Sequence, residues 1–424
     1  MRANGTQNGS SKNLPRGDWT AVLDIGSSKV VCLVAMDDGE GGIDLQGLGV
    51  AECKGVKRGV VTDLEETSRA IDAAVRRVEQ QIGEKIESLI TGVTGTHLEG
   101  HNAMGFVPIY PRSRQITRED VLQVINHSRQ FMIPPDREMI QALPREFKID
   151  GQRGVQRPIG MNGSKLEVTT YIVTGQTTHI QNIEKATQMT GRRVDQMVVT
   201  SLASGLGVLT PDEIELGAVV VDIGEGVTDI GVFQGGSIAY SATIPIGSGL
   251  VTSDISKLLR CSPDEAERLK VMHAHATSAG VDERDSVQVI QLGHDEPRAL
   301  QRKVLCEITE SRMRELAVMV RQQIEKSGLY AMLPGGVVLT GGGALLSGSE
   351  KLFTEVLKHL RVRHAEPRLY AGHGMDTDRS GLATAAGIAR FAIQCFDDEL
   401  GPASGSGGWK ERIRTIFSLI SGKA

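Results

Sequence analysis

Two stretches of the chain repeat one pattern, in which a strand ends at an aspartate followed by a glycine. Residues 21–35 read AVLDIGSSKVVCLVA and residues 218–233 read AVVVDIGEGVTDIGVF. Each predicts a strand, a tight turn and a second strand. Backbone N–H groups at Gly26 and Gly224 can bind phosphate oxygens, and the carboxylates of Asp24 and Asp222 can hold a hydrated Mg²⁺. One such turn is common and indicates little, whereas two favour facing domains that clamp one polyphosphate.

A third segment, residues 335–348, reads GGVVLTGGGALLSG. An apolar strand at 337–339 runs into Thr340 and three glycines, and then into a predicted helix. Such a turn is more often a packing feature than a site. Here its glycines would let backbone approach a flat ligand, and a helix N-terminus would favour an anion.

In this order the three segments resemble the phosphate 1, phosphate 2 and adenosine motifs of the actin, Hsp70 and sugar-kinase superfamily. The resemblance implies an ATP cleft between two α/β domains. A chain of 424 residues can bury at least two cores, and its net charge of −5 argues against a nucleic-acid partner. The five cysteines form no C-x-x-C pair, which is typical of reduced thiols in a cytosolic protein.

The pattern of elements predicts how the chain divides. A helix from Thr62 to Gly83 is expected to begin with a capping box of Thr62 and Glu65, and helices are also expected at 299–326 and 376–395. No apolar run is long enough to span a bilayer. The predicted units are a disordered leader (1–18), a first actin-like domain (19–100 and 177–215, with a helix at 377–396 packing back on it), an inserted α+β subdomain (101–176), a second actin-like domain (216–250 and 333–376) with a smaller lobe (251–332), a flexible linker (397–408) and an amphipathic helix (409–424).

The insertion resembles, in position and size, the one that distinguishes the FtsA family of bacterial cell-division proteins. Segments 143–168 (LPREFKIDGQRGVQRPIGMNGSKLEV), 201–210 (SLASGLGVLT), 246–255 (IGSGLVTSDI) and 338–348 carry the resemblance, which extends over nearly the whole chain. It implies an actin/Hsp70-like two-domain ATPase fold with an inserted α+β subdomain and a C-terminal amphipathic helix.

The resemblance also implies a set of site residues. Asp24 and Asp222 would serve the metal, residues 341–343 would face the adenosine, and Glu267 and Lys270 would form an adenosine-side pair, although a surface ion pair explains them as well. The full nucleotide-binding set is Asp24, Gly26, Ser27, Ser28, Lys29, Asp222, Gly224, Gly226, Val227, Thr228, Glu267, Lys270, Gly341, Gly342 and Gly343.

Two departures from the superfamily bear on chemistry. Glu225 and Val227 stand where Gly and Thr are usual, so nucleotide affinity is expected to be altered. Thr200 or Ser201 aligns with the glutamine by which actin orients water, and neither supplies an amide or carboxylate. We therefore expect no catalytic residue and at most a slow ATPase, with Mg²⁺ and ATP acting mainly as structural ligands or a polymer switch.

The C-terminal segment WKERIRTIFSLISGK follows a linker rich in Gly and Ser. At 100° per residue its large apolar side chains cluster on one side and its cations lie opposite, as in a helix that lies on anionic lipid. A helix docked on the protein's own body is the alternative. The predicted membrane residues are Trp409, Lys410, Ile413, Arg414, Ile416, Phe417 and Ile420.

The resemblance implies a protein that polymerises on the cytoplasmic face of the cell membrane at the septum, tethers FtsZ filaments and recruits later division proteins. Arg312 and Glu315 match family positions that receive the FtsZ C-terminal peptide, although Arg312 could equally only solvate its helix. A pilus-assembly adaptor remains an alternative, as does, less favoured, a sugar-kinase-like phosphotransferase. Neither accounts for both the insertion and the tail.

Overall fold

The first actin-like domain is built around a mixed sheet. The computed structural model describes residues 19–37, 42–130, 132–294, 296–367, 369–371 and 379–400. The domain opens with β1 (Thr20–Ile25), β2 (Lys29–Asp37), β3 (Ile43–Glu52), the short pair β4 (Val56–Lys57) and β5 (Val60–Val61), α1 (Leu64–Ile82) and β6 (Ser88–Val93). Along β1 and β2 nearly every side chain is buried, because helices cover both faces of the sheet.

The inserted domain interrupts this sheet after β6. Its main sheet is antiparallel in the order β10-β9-β12-β7, and α2 packs on β7 and β12. Its elements are β7 (Glu99–Pro108), β8 (Arg114–Gln115), α2 (Arg118–Arg129), β9 (Arg137–Ile149), β10 (Gln152–Val155), β11 (Asn162–Gly163) and β12 (Lys165–Gln176). Thr117 caps α2 in a capping box with Asp120.

The chain then returns to the first domain and enters the second. The returning elements are α3 (Thr177–Gln188), β13 (Arg193–Val199), α4 (Thr200–Val208) and α5 (Pro211–Leu216). The second domain comprises β14 (Ala218–Ile223), β15 (Thr228–Gln234), β16 (Ser237–Ile244), α6 (Ser248–Leu259), α7 (Pro263–His273), β17 (Ser286–Val289), β18 (Arg298–Gln301), α8 (Arg302–Lys326), β19 (Val337–Thr340), a 3₁₀ helix (Gly342–Leu345), α9 (Ser349–Leu357) and β20 (Val362–His364).

The two sheets share one topology. In the first the order is β13-β6-β1-β2-β3, joined at its edge by β21 (Tyr370–Ala371), and in the second it is β16-β15-β14-β19-β20. In both, three consecutive strands are antiparallel, and the first of them has a parallel neighbour on its other side. The duplication read from the two Asp-Ile-Gly segments therefore extends to the whole sheet.

A pair of helices rich in small residues lies between the sheets. After a second 3₁₀ helix (Ser380–Leu382), α10 (Ala383–Leu400) packs on α4 so closely that backbone touches backbone. A Cβ atom built on Gly387 would lie 1.6 Å from the Ala203 carbonyl oxygen, and one on Gly207 would lie 2.3 Å from that of Ala383. Only glycine permits this approach, which brings Thr384 beside Ser204.

Several predicted boundaries are wrong. Thr62 donates its hydroxyl to the Gly55 carbonyl oxygen, so Asp63 caps α1 instead and accepts from the Glu66 N–H at 3.0 Å. The helix expected from residue 299 begins at Arg302, because Ala299 pairs in β18. The C-terminal helix begins at Ala383 and ends at Leu400, four residues into the predicted linker. The leader and the amphipathic segment lie outside the described residues. Within the part of the chain described, no helix is long and apolar enough to cross a membrane.

Candidate functional site

A cavity of about 680 Å³ lies between the two actin-like domains, where both Asp-Ile-Gly turns meet. This is the size of a small-molecule or nucleotide pocket. The structure brings nearly all of the predicted nucleotide-binding residues to its wall: Asp24, Gly26, Ser27, Ser28, Lys29, Asp222, Gly224, Gly226, Val227, Glu267, Lys270, Gly341, Gly342 and Gly343. Thr228 is the exception. It is fully buried and donates its hydroxyl to the Ile246 carbonyl oxygen at 2.7 Å, so that hydroxyl is not available to a phosphate.

The two turns are built alike, but their glycines do not play the part we expected. Gly26 N–H donates to the Lys29 carbonyl oxygen and Gly224 N–H to that of Val227, each at 2.9 Å. These bonds close the hairpins and remove both N–H groups from a ligand. Within the described residues, the following N–H groups make no hydrogen bond and stay available at the turn tips: those of Ser27, Ser28, Glu225 and Gly226.

Close contact between the turns explains why position 226 is glycine. A Cβ atom there would lie 2.3 Å from Ser27 Oγ and 3.0 Å from the backbone nitrogen of Arg58. The second domain's Asp-Ile-Gly turn is therefore pressed against the first domain's turn and against the β4–β5 hairpin. A side chain at this position would hold the cleft open.

Asp24 and Asp222 lie in the cleft with strongly perturbed acidity. Burial raises the pKa of Asp24 to about 7, the charges of Asp222 and Asp229 add to the rise, and Lys29 opposes it. Burial also raises the pKa of Asp222, although Ser204 and Thr384 donate hydrogen bonds to its Oδ2 atom. A divalent cation would relieve this repulsion. Within the described residues there is no cluster of three or more His, Cys, Asp or Glu side chains that could hold a metal ion.

Asp229 is a cleft residue that the sequence analysis missed. It sits opposite Asp222 on β15 and accepts hydroxyl hydrogen bonds from Thr94, Thr200 and Thr243. Burial and the charge of Asp222 raise the pKa of Asp229 to about 6. The hydrogen bonds from the three threonine hydroxyls oppose this rise. The signal was present, since DIGEGVTD ends in a second aspartate on the same hairpin.

Asp229 places a carboxylate in the cleft beside Thr200, one of the two residues that align with actin's glutamine. Its two oxygens are already occupied, since Thr94 and Thr243 donate to Oδ1 and Thr94 and Thr200 to Oδ2. Thr200 spends its hydroxyl on Asp229, and the buried Ser201 hydroxyl has no partner among the described residues. Thr200 and Asp229 are bonded to each other, and Ser201 is not among the described residues that line the cavity.

Glu225 is turned away from the meeting point of the turns. A Cβ atom on Gly249, at the start of α6, would lie 2.2 Å from Glu225 Oε1. Partial burial raises the pKa of Glu225, Lys270 lowers it and Glu267 raises it further. The carboxylate therefore faces α6 and the Lys270 ammonium rather than the turn N–H groups.

Another part of the cavity wall combines an ion pair with apolar side chains. Lys270 is buried and pairs with Glu267 at 2.7 Å, and both bond to the Thr252 hydroxyl. This is more than a surface ion pair, because Lys270 also reaches the Ser248 carbonyl oxygen at 3.4 Å. The apolar part of the wall is formed by Val271, Ala274, Met313, Leu345 and Leu346.

The Gly341–Gly343 turn follows β19 as expected, but no α-helix begins there. Gly341 has a φ of 85°, and a Cβ atom would lie 2.2 Å from Asp222 Oδ1, so glycine is required. The turn continues as a 3₁₀ helix, and α9 begins only at Ser349. The expected anion site at a helix N-terminus is therefore absent at this turn.

Arg312 and Glu315 lie outside the cavity, on α8. Arg312 is paired on both sides, with Asp254 of α6 through Nε at 2.7 Å and with Glu315 through Nη1. Its neighbour Met313 is buried and lines the cavity from the same helix. The predicted membrane residues of the tail fall beyond the described residues.

Comparison with known proteins identifies the family. A family profile described as cell division protein FtsA matches residues 219–388, and one described as an SHS2 domain inserted in FtsA matches residues 95–174. The cell division protein FtsA of Pseudomonas aeruginosa is 36% identical over 384 residues, which cover 90% of this chain and 91% of the relative. The chain belongs to the FtsA family. The predicted FtsA membership is thereby confirmed, and the SHS2 match coincides with the inserted domain that interrupts the first sheet.

Solved structures confirm the predicted actin-like fold of this FtsA-family chain. The pilus-biogenesis complex PilM–PilN matches with a TM-score of 0.63 at 14% identity, covering 89% of this chain and 99% of that one. MreB5 of Spiroplasma citri bound to ADP matches with a TM-score of 0.56 at 14% identity, covering 91% and 100%. At these identities the likeness concerns the fold alone.

Proposed function

We propose that this FtsA-family protein binds Mg²⁺–ATP in the interdomain cavity, polymerises on the cytoplasmic face of the cell membrane at the septum, and tethers FtsZ filaments there through their C-terminal peptide. One observation carries the nucleotide part of the proposal: two Asp-Ile-Gly turns and a glycine turn, distant in sequence, line one cavity. Family membership supports a role in cell division, with self-association and other division proteins as partners.

Each part of the cavity suits one part of the ligand. The turn-tip N–H groups would hold the phosphates, and the Lys29 side chain would supply positive charge beside them. Asp24 and Asp222 would hold water molecules of the Mg²⁺ ion, which itself would neutralise the phosphates. The Glu267–Lys270 pair would meet the ribose, and the apolar wall around Val271 would cover the base.

Hydrolysis is proposed to be slow, because Asp229 and Thr200 satisfy each other instead of orienting water. ATP then serves chiefly to hold the two domains in one arrangement. A ligand that binds only the closed arrangement stabilises it by mass action, which is what a polymer switch requires.

Mg²⁺-dependent nucleotide binding tests the proposal directly. Asp222→Ala removes a candidate metal-site carboxylate and should weaken Mg²⁺–ATP binding at least tenfold, about 1.4 kcal/mol, as measured by calorimetry. Asp212→Ala is the control, because Asp212 is exposed on α5 and does not line the cavity. Binding that is unaffected by Asp222→Ala, or by removal of Mg²⁺, would show that the metal site is wrongly placed.

A further inference from the structure

The hydroxyls that hold Asp229 come from three separate segments, each of which is tied to the inserted domain. Thr94 is the residue immediately before the inserted-domain match at 95–174. Thr200 follows Val199, whose N–H donates to Gln141 Oε1 of β9 at 3.0 Å. Thr243 lies two residues from Ser241 on β16, and Ser241 bonds to Tyr171 of β12.

The Tyr171–Ser241 contact joins the inserted domain to the second actin-like domain. Tyr171 Oη accepts the Ser241 N–H at 2.7 Å and lies 2.9 Å from Ser241 Oγ. β16 is an edge strand, so this N–H points away from its own sheet and is satisfied by the inserted domain. Tyr171 is 1% exposed, and Gly100 leaves room for it, since a Cβ atom there would lie 1.8 Å from Tyr171 Oη.

Ser241 and Thr243 lie on the same side of β16, because side chains alternate along a strand. β16 therefore carries the contact to the inserted domain and the contact to the cleft on one short piece of backbone. Asp229 in turn bonds across the cleft to Thr94 and Thr200 of the first domain. Any shift of the second domain relative to the first changes the spacing of these groups.

We propose that Tyr171 is a positioning residue that couples the nucleotide cleft to the inserted domain, through β16 and Asp229. This inference rests on the proposed binding of nucleotide in the cavity. Closing the cleft around Mg²⁺–nucleotide fixes Thr243 against Asp229 and thereby fixes Ser241 against Tyr171. Coupling of binding energies is reciprocal, so a partner or second copy that moves the inserted domain alters nucleotide affinity by the same factor.

The test is hydrogen exchange of the full chain with and without Mg²⁺ and a non-hydrolysable ATP analogue, followed by mass spectrometry. In the unmodified protein the analogue should slow exchange in the phosphate turns, in β16 and in the inserted-domain strands β7 and β12. Tyr171→Phe keeps the buried ring and removes the hydroxyl. It should abolish the response in β7 and β12, retain the response in the phosphate turns, and weaken analogue binding about three- to tenfold.

Tyr240→Phe is the matched control, because Tyr240 is the neighbouring residue on β16 and its hydroxyl bonds to Gln323 within the second domain. Tyr240→Phe should leave the slowed exchange of β7 and β12 intact. Analogue affinity should change less than about twofold, near the low end of the free energy of one hydrogen bond. Ser241→Ala removes the Oγ contact and keeps the backbone N–H bond to Tyr171, so it carries the test, with a smaller expected change, if Tyr171→Phe does not fold.

The outcomes separate this inference from the proposed function. If the analogue binds the unmodified protein but exchange in β7 and β12 does not change, the coupling is refuted while nucleotide binding stands. The same conclusion follows if Tyr171→Phe responds like the unmodified protein. If the analogue does not bind at all, both proposals fail.

Discussion

Arg312 on α8 donates through Nε to Asp254 Oδ2 on α6 at 2.7 Å, so the arginine predicted to receive the FtsZ tail already has an internal carboxylate partner. Both side chains are about a quarter exposed, at 25% and 23%. An incoming peptide carboxylate has to compete with Asp254 for the guanidinium. The pair therefore sets how readily this surface can accept an acidic peptide.

If a peptide carboxylate competes with Asp254 for Arg312, substitutions of these two residues should have opposite effects on peptide binding. Arg312→Glu should weaken binding of the FtsZ C-terminal peptide at least about tenfold, the size of one charge-assisted hydrogen bond, and Asp254→Asn should strengthen it. Fluorescence titration with labelled peptide measures both. Arg314→Glu is the control, since Arg314 pairs with Glu310 and Glu355. Equal affinity for Arg312→Glu and the unmodified protein would rule out this role.

Contact between the two phosphate turns predicts that Gly226→Ala prevents closure of the cleft. The added methyl group would lie 2.3 Å from Ser27 Oγ, closer than real Cβ atoms come, and 3.0 Å from the Arg58 backbone nitrogen, so the turns would have to shift apart. Nucleotide affinity should fall at least about tenfold, while Asp212→Ala, on the exposed surface of α5, should bind normally. Calorimetry with Mg²⁺–ATP checks both, and normal binding by Gly226→Ala would mean that the turns do not need to touch.

Burial of Asp24 predicts a pH-dependent stability in the ligand-free protein. Its folded pKa of about 7 lies above the ordinary value of 3.8, so between these pH values the folded state holds a proton that the unfolded chain releases. Stability from this group therefore falls as pH rises toward 7. Asp24→Asn removes the free-energy cost of ionising this buried carboxyl group.

The difference between the variant and the unmodified protein isolates this effect from other groups. His97, whose burial lowers its pKa to about 4, acts in the opposite direction and is common to both proteins. Relative to the unmodified protein, Asp24→Asn should gain roughly 1–2 kcal/mol between pH 5 and pH 8, allowing for water that enters the cleft. Urea unfolding in EDTA measures this difference in the free energy of unfolding. A difference that does not change with pH would contradict the prediction.

Occupied oxygens on Asp229 predict slow ATP hydrolysis. Thr94, Thr200 and Thr243 already donate to this carboxylate, so an attacking water has to compete with three hydroxyls for it. Steady-state phosphate release with Mg²⁺ should stay below about 1 s⁻¹, the low end for ordinary enzymes. Faster turnover would mean that the network rearranges around bound ATP.

Features that depend on local sequence could be predicted, whereas those that depend on distant partners could not. The Asp24 and Asp222 hairpins follow from an apolar run, a small turn and a second run, which fold locally. Asp229 escaped notice because its hydroxyl partners lie 135, 29 and 14 residues away in sequence. The pairing of Arg312 with Asp254 is hidden for the same reason, at a separation of 58.

Contacts in the folded chain also give several polar groups hydrogen-bond partners other than the ones we expected. Thr62 was expected to cap α1, but the carbonyl oxygen of Gly55 takes its hydroxyl and leaves the cap to Asp63. The N–H groups of Gly26 and Gly224 were expected to face a phosphate, but hairpin closure uses them. In both cases a backbone carbonyl oxygen accepts the hydrogen bond that we had assigned to another partner. The position of that carbonyl oxygen depends on the folded chain.

The amphipathic tail predicts weak membrane binding by one copy and strong binding by a polymer. About five large apolar side chains contribute roughly 1.5–3 kcal/mol each at full burial, against an ordering cost of about 1–2 kcal/mol for each of some fifteen residues. At these magnitudes the ordering cost equals or exceeds the apolar gain, so one copy binds weakly, and a filament adds avidity. Trp409→Glu or Ile416→Glu should release protein from anionic vesicles in sedimentation assays, most of all for monomers. High salt should release it only partly. If both variants sediment with the vesicles as fully as the unmodified protein, the tail is not the membrane anchor.

Recruitment of FtsZ filaments to lipid tests the central claim most directly. Fluorescent FtsZ filaments are mixed with vesicles of zwitterionic and anionic phospholipid, Mg²⁺–ATP and this protein, and FtsZ on the membrane is counted by microscopy. The full chain should bring FtsZ to the vesicles, and a chain lacking residues 408–424 should bind nucleotide normally but leave FtsZ in solution. If the truncated chain recruits FtsZ as well as the full chain, or if the full chain recruits none, this protein is not the membrane tether proposed here.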